Sequence, residues 1–136
     1  MRIGIVTIGN NPQLLQFSKD VHRKLVEKGH SIKVYNENTD INERFTINKH
    51  LIFFVDAGTF FQKSALPELK QFLKVRGDLN VKYGSLIINK KPFPDKIFVK
   101  IMATLEENGL ILQYTNIIKN TNEMNNLIST MHFEEK

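Results

Sequence analysis

The chain has 136 residues, 41% of them hydrophobic, so it is long enough for one domain with a hydrophobic core and too short to predict two. The absence of cysteine excludes a disulfide framework, a thiolate metal site and a cysteine nucleophile. The net charge of +5 is spread along the sequence without a dense basic patch, so we predict no nucleic-acid partner.

Neither a leader nor a membrane span is predicted. The apolar run near the first residue is about six residues long, shorter than the core of a signal peptide. No later stretch approaches the roughly 20 apolar residues that are needed to cross a bilayer. We therefore expect a cytoplasmic protein that does not associate with membranes.

Short apolar runs alternate with amphipathic segments along the sequence. In chain order, the apolar runs predict strands at 3–8, 32–35, 51–55, 81–88 and 110–114. Apolar residues at helical spacing predict four helices between and after them, with the stripes Leu14, Phe17, Val21 and Leu25; Leu66, Leu69, Phe72 and Leu73; Ile97, Ile101, Met102 and Leu105; and Met124, Leu127, Ile128 and Met131. Continuous rather than alternating apolar strands indicate burial on both faces, as in a parallel sheet.

This alternation predicts a single domain spanning 1–136 with a three-layer α/β/α sandwich. Five parallel strands at this chain length favour the order 2-1-3-4-5. The crossover between the second and third strands has only Ile41, Phe45 and Ile47 as apolar anchors, so we expect an abbreviated second helix there. Ligands of such sheets bind at the carboxyl ends of the strands, which directs attention to the loops after Ile8, Val55 and Ile88.

The first of these loops, in TIGNNPQLL, has two interpretations. The N–H groups of Gly9, Asn10 and Asn11, at the start of a helix, are donors that could hold a phosphate. Alternatively, Asn10 or Asn11 caps the helix and Pro12 occupies its first position, which accounts for every residue without a ligand.

The second loop, in DAGTFFQKSALPELKQFL, places an aromatic pair after a glycine and before a proline and a leucine-rich helix. With this stretch, nearly the whole chain resembles flavodoxin and its relatives. The resemblance implies FMN as cofactor, with Thr7, Gly9, Asn10 and Asn11 around its phosphate and Gly58, Thr59, Phe60 and Phe61 along its ring. Aligned on Gly9, however, the hydroxyl positions of the family's phosphate loop hold Val6, Ile8 and Asn11. Burial of Phe60 and Phe61 against neighbouring loops is the alternative role for the pair.

The third loop, INKKPFPDK, differs most from the family pattern. The resemblance implies that Asn89 and Lys90 lie near another edge of the ring, where the lysines could attract a phosphate or stabilise an anionic reduced flavin. A stiff turn between two prolines, carrying solvated lysines, explains the same residues without a ligand.

Other chemistry receives little support. The four histidines show no metal-ligand spacing, and the sequence contains neither a nucleophile elbow nor a P-loop. A phosphoacceptor receiver domain shares the topology, and Asp56 suits its aspartate, but the first loop has no acid for magnesium. We predict no metal site and no catalytic residue of the chain itself.

Two functions remain. One is a flavodoxin-like protein that binds FMN for electron transport or flavin-dependent reduction, an oxidoreductase role with a redox protein or small-molecule acceptor as partner. Its positive charge makes quinone- or flavin-reductase relatives, often homodimers, a closer comparison than acidic electron shuttles. The other is a flavin-free module that binds a different ligand or a protein partner, favoured by the loss of hydroxyls at Val6 and Ile8.

Overall fold

The computed structural model describes residues 1–38, 47–60, 62–76, 82–90, 92 and 95–131. Within these ranges, the structure has five strands and four helices. The strands are β1 (Arg2–Ile8), β2 (Ser31–Asn36), β3 (His50–Val55), β4 (Lys82–Asn89) and β5 (Leu110–Ile118). The helices are α1 (Pro12–Glu27), α2 (Leu66–Arg76), α3 (Asp95–Glu107) and α4 (Thr121–Thr130). No described helix is both long enough and apolar enough to cross a membrane.

The strands form one five-stranded sheet in the order β2-β1-β3-β4-β5, and every neighbouring pair is parallel. The predicted sheet and its strand order are therefore confirmed. Because all strands run the same way, their carboxyl ends meet at one edge of the sheet. The strand register determines which strand ends are neighbours at this edge. Thr7 of β1 lies between Asn36 of β2 and Phe54 of β3.

The helices cover both faces of the sheet, which explains the continuous apolar strands. All six residues of β3 are buried, and alternate ones belong to opposite cores. Phe53 packs with residues of α2 and α3, such as Leu69 and Leu105. Phe54 packs with residues of α1 and α4, such as Phe17 and Ile128. Burial of these side chains supplies most of the stabilisation of such a sandwich.

The end of the last predicted strand differs from the structure, and the predicted short second helix lies largely outside the described residues. The last strand continues four residues beyond Tyr114, because residues up to Ile118 pair in parallel with β4. Asn116 within this stretch has a low strand propensity, and for this reason the sequence pattern predicted the end of the strand too early. The abbreviated second helix falls largely on residues 39–46, which lie outside the described residues, and stays a prediction.

A histidine is buried at the amino end of the central strands. His50 is fully buried as the first residue of β3, and its Nε2 lies 2.9 Å from Ser85 Oγ on β4. Burial penalises the charged imidazolium and lowers the pKa of His50 from its ordinary 6.5 to about 4. The ring is therefore neutral in the folded protein near neutral pH. It lies at the opposite end of the sheet from the loops that carry the candidate site.

Candidate functional site

The turn between β1 and α1 is a tight bend that requires glycine. Gly9 has φ of 101°, and a Cβ at this position would lie 2.8 Å from Asp56 Cβ. Asn11 is the N-cap of α1, with its Oδ1 accepting the Leu14 N–H at 3.0 Å, and Pro12 occupies the first helical position. The capping interpretation of this loop is confirmed, with Asn11 rather than Asn10 as the cap.

The Gly9 N–H already has an anionic partner within the chain. Glu37, the residue after β2, accepts this N–H through its carboxylate Oε1. Thr7, the hydroxyl that the resemblance assigns to a phosphate, belongs to β1 and is buried. One backbone donor that a phosphate would use is therefore occupied by a carboxylate of the protein.

Above this turn lies a cavity of about 220 Å³ with an acidic lining. Glu37, Asp56 and Glu68 contribute three carboxylates to it, and Lys63 contributes one ammonium group. The other lining residues are Gly9, Asn10, Ser64 and Ala65. Among the described residues, no three histidine or carboxylate side chains are grouped so as to hold a metal ion. The lining favours a neutral or cationic group over an anion.

The loop between β3 and α2 is closed by its own hydrogen bonds. The Asp56 carboxylate accepts the Gly58 N–H at 2.9 Å, and the Asp56 carbonyl accepts the Ala65 N–H at 2.7 Å. Thr59 donates its N–H to the Gln62 carbonyl and accepts the Gln62 N–H at its Oγ1. Gly58 has φ of 70°, and a Cβ there would lie 2.5 Å from the Gln62 carbonyl oxygen. These hydrogen bonds connect the beginning and the end of the loop through its described residues.

The closed loop presents an exposed aromatic ring. Phe60 is 66% exposed, and its N–H donates to the Pro92 carbonyl at 3.2 Å, which ties the loop to the segment after β4. Beside it lies a cavity of about 430 Å³, whose apolar lining includes Ala57, Phe60, Leu66, Pro67 and Ile97. Phe61, the second aromatic of the predicted pair, lies outside the described residues. The alternative of a buried pair is therefore wrong for Phe60.

The third predicted group of residues contacts other parts of the edge. Asn89 is 1% exposed, and its Nδ2 lies 3.4 Å from Gln13 Oε1 in the first turn of α1. Gln13 in turn donates from Nε2 to the Lys119 carbonyl at 3.2 Å. Lys90 is exposed, and its N–H donates to the Ile118 carbonyl at 2.8 Å. Neither Asn89 nor Lys90 lines either of the two cavities.

The two cavities share part of their lining. Lys63 and Ser64 line both the acidic cavity near Gly9 and the apolar cavity near Phe60. Of the predicted residues, Gly9 and Asn10 line the first cavity, and Thr59 and Phe60 line the second. Sequence reasoning did not find Glu37, Lys63 or Glu68. Its strand order could have found Glu37, which directly follows the strand beside β1.

Solved structures with the same architecture include several flavodoxins. The chain superposes on oxidised flavodoxin 2 from Bacillus cereus with a TM-score of 0.72 at 12% identity, covering 95% of this chain and 96% of that one. A mutant of flavodoxin from Pseudomonas aeruginosa gives 0.72 at 8% identity with 95% of each chain covered. The chain has the flavodoxin-like fold. A flavodoxin from the domain Archaea gives a TM-score of 0.67 at 14% identity, covering 95% of this chain and 92% of that one. No protein-family model and no curated protein sequence matches the chain.

Within this flavodoxin-like fold, the two cavities differ in how well they suit FMN. The apolar cavity with its exposed Phe60 has the surface that a flat ring needs. The acidic cavity does not suit a phosphate, because Glu37 occupies the Gly9 N–H and further carboxylates line the space. The residues present therefore fit the ring of FMN and do not fit its phosphate.

Proposed function

We propose that the protein acts in the cytoplasm as a flavodoxin-like module that binds the ring of a flavin at the carboxyl edge of its sheet. Exposed Phe60 on a closed loop is the observation that carries this proposal. FMN, used for electron transfer or flavin-dependent reduction, is the cofactor that the flavodoxin-like fold suggests. Such a role requires a redox protein or small molecule as electron acceptor, and it is compatible with a homodimer.

The position of Phe60 supports ring binding for two reasons. A large aromatic side chain that is 66% exposed leaves apolar surface in water, which a bound ring would cover. The surrounding hydrogen bonds, including the one from the Phe60 N–H to the Pro92 carbonyl, fix the loop before any ligand arrives. Little conformational entropy is then lost on binding, which raises affinity for a given contact area.

The dimensions of the neighbouring cavity suit a small-molecule ring. Its volume of about 430 Å³ falls within the range of roughly 300 to 1,000 Å³ that is typical of ligand pockets. Leu66, Pro67 and Ile97 supply an apolar wall, while Thr59 and Ser64 supply hydroxyls. In this site the chain's residues orient the ring and keep water from one side of it. A bound flavin would supply the redox chemistry itself.

Flavin titration of the purified protein tests this proposal. We expect added FMN or riboflavin to lose fluorescence on binding, and Phe60→Ala to weaken that binding about tenfold through lost ring contact. Val26→Ala is the matched control, because Val26 is an exposed apolar residue near the far end of α1. Circular dichroism checks that both variants keep the fold. Equal flavin affinity in the wild type and Phe60→Ala would contradict the role of Phe60.

The contact between Glu37 and Gly9 favours a second candidate function. A phosphate loop whose donor is taken by the protein's own carboxylate agrees with a flavin-free module for a different ligand or a protein partner. This candidate predicts a colourless protein that quenches neither FMN nor riboflavin at micromolar concentration. Pull-down with the wild type and Phe60→Ala would then show whether the exposed ring binds a protein instead.

A further inference from the structure

The carboxylate of Glu37 occupies a position that an anionic ligand group would otherwise take. It accepts the N–H of Gly9 at the turn that opens α1. We infer that Glu37 determines the specificity of the site: it weakens the binding of a ligand with a phosphate tail relative to a flavin without one. The part of this inference that concerns flavins depends on the proposed function.

The fold places Glu37 at this turn through strand pairing. β1 and β2 are paired up to Thr7 and Asn36, so the residue after Asn36 arrives beside the start of the turn. Tyr35 is fully buried, and Asn36 Oδ1 accepts the Asn38 N–H at 2.8 Å, which forms a turn around Glu37. Residues on both sides therefore hold Glu37 near Gly9.

Two backbone donors at the β1–α1 turn have acceptors within the chain, and a third position has no donor. Gly9 donates to Glu37, Leu14 donates to the cap residue Asn11, and Pro12 has no N–H. A hydrogen bond to a carboxylate is stronger than one between neutral groups, so a phosphate must displace a good acceptor. A phosphate at this turn would therefore compete with Glu37 for the Gly9 N–H.

The charges around the cavity also disfavour a phosphate. Among the described residues that line the cavity above Gly9, Glu37, Asp56 and Glu68 are acidic and Lys63 is basic. A phosphate monoester brings between one and two further negative charges at neutral pH. Like charges in a small, partly enclosed space repel more strongly than in bulk water. The ribityl chain of a flavin without phosphate carries only hydroxyl groups. These hydroxyls can donate hydrogen bonds to the carboxylates.

Amide exchange and inorganic phosphate test the inference without any flavin. We expect the Gly9 N–H to exchange slowly with solvent in the wild type and at least about tenfold faster in Glu37→Ala, which removes its acceptor. Phosphate added to the 15N-labelled protein should shift the Gly9 and Asn10 amide resonances in Glu37→Ala and leave them in place in the wild type.

Two further variants separate the hydrogen bond from the charge. Glu68→Ala removes a carboxylate from the same cavity without touching the Gly9 N–H, so slow exchange of this amide should persist. Glu37→Gln keeps an acceptor but loses the charge, so phosphate shifts between those of the wild type and Glu37→Ala are expected. Phosphate shifts of equal size in the wild type and Glu37→Ala would overturn the inference.

Comparison of two flavins tests the consequence for the ligand. FMN and riboflavin share the ring and differ by the phosphate. We expect the wild type to bind riboflavin more tightly than FMN. We expect Glu37→Ala to bind FMN about tenfold more tightly than the wild type does, by the strength of a charge-assisted contact. Riboflavin affinity should change less than about twofold, since it makes no anionic contact.

The outcomes distinguish the inference from the proposed function. If neither flavin binds any variant but phosphate enters Glu37→Ala alone, the flavin function fails and Glu37 still excludes anions. If both flavins bind and FMN affinity is the same with and without the Glu37 carboxylate, the flavin function stands and the inference fails. A wild type that binds FMN as tightly as riboflavin, or more tightly, also overturns the inference.

Discussion

Protonation of His50 should make the fold sensitive to acid. The imidazole is fully buried between the central strands, and its Nε2 lies 2.9 Å from Ser85 Oγ. Burial lowers its pKa from 6.5 to about 4 in the folded chain, whereas the unfolded chain keeps the ordinary value. Between these two pH values, the unfolded state binds a proton that the folded state does not bind.

The sign and size of the effect follow from this difference. Because the unfolded state binds more protons, stability is complete above about pH 6.5 and is lost as pH falls toward 4. A difference of 6.5 − 4, about 2.5 pKa units, corresponds to about 3.5 kcal/mol at roughly 1.4 kcal/mol per unit. Between about pH 7 and pH 4.5, most of this amount, about 2 kcal/mol, should be lost.

Urea unfolding at several pH values, with His50→Gln as the reference, measures this loss. The glutamine amide can contact Ser85 but does not titrate, so the stability of the wild type should fall about 2 kcal/mol further than that of the variant between pH 7 and 4.5. The His50 ring resonance provides a second measurement in the intact fold. A ring that titrates in the folded protein near 6.5, or parallel pH profiles for both proteins, would refute the reasoning.

Two further predictions concern backbone geometry and capping. Gly58→Ala should destabilise the fold by more than Gly29→Ala in urea unfolding, because both have positive φ but only Gly58 has atoms within 4 Å of the added Cβ, at 2.5 Å. Equal costs would mean that the closed loop relaxes. Asn11→Ala should cost about 1 kcal/mol by losing the hydrogen bond to the Leu14 N–H, and an unchanged urea midpoint would contradict its role as the N-cap of α1.

Strand order was predictable because hydrophobic pattern and connection length determine it almost alone. Apolar runs such as 51–55 have no polar face, so only a sheet covered on both sides can bury them. Helical stripes between the runs then supply the covering layers. Residue propensity did not predict the end of β5, because pairing with β4 keeps the polar Asn116 within the sheet.

The candidate site was only partly predictable, because tertiary contacts decide which groups share a cavity. Gly9 and Phe60 were visible as loop residues at strand ends, and the structure places both at the same rim. Glu37 looked like an ordinary charged residue of a polar segment. Its contact with Gly9 becomes visible only when β2 lies beside β1, which a local pattern does not encode.

The self-closed loop after β3 separates the stability of the protein from the choice of ligand. Its shape depends on hydrogen bonds among Asp56, Gly58, Thr59, Gln62 and Ala65, while the Phe60 side chain stands free of them. Under the proposed function, substitution at position 60 should therefore alter which ligand binds and leave the architecture intact. Directed evolution at this one position would then change ligand preference at little cost in the free energy of unfolding.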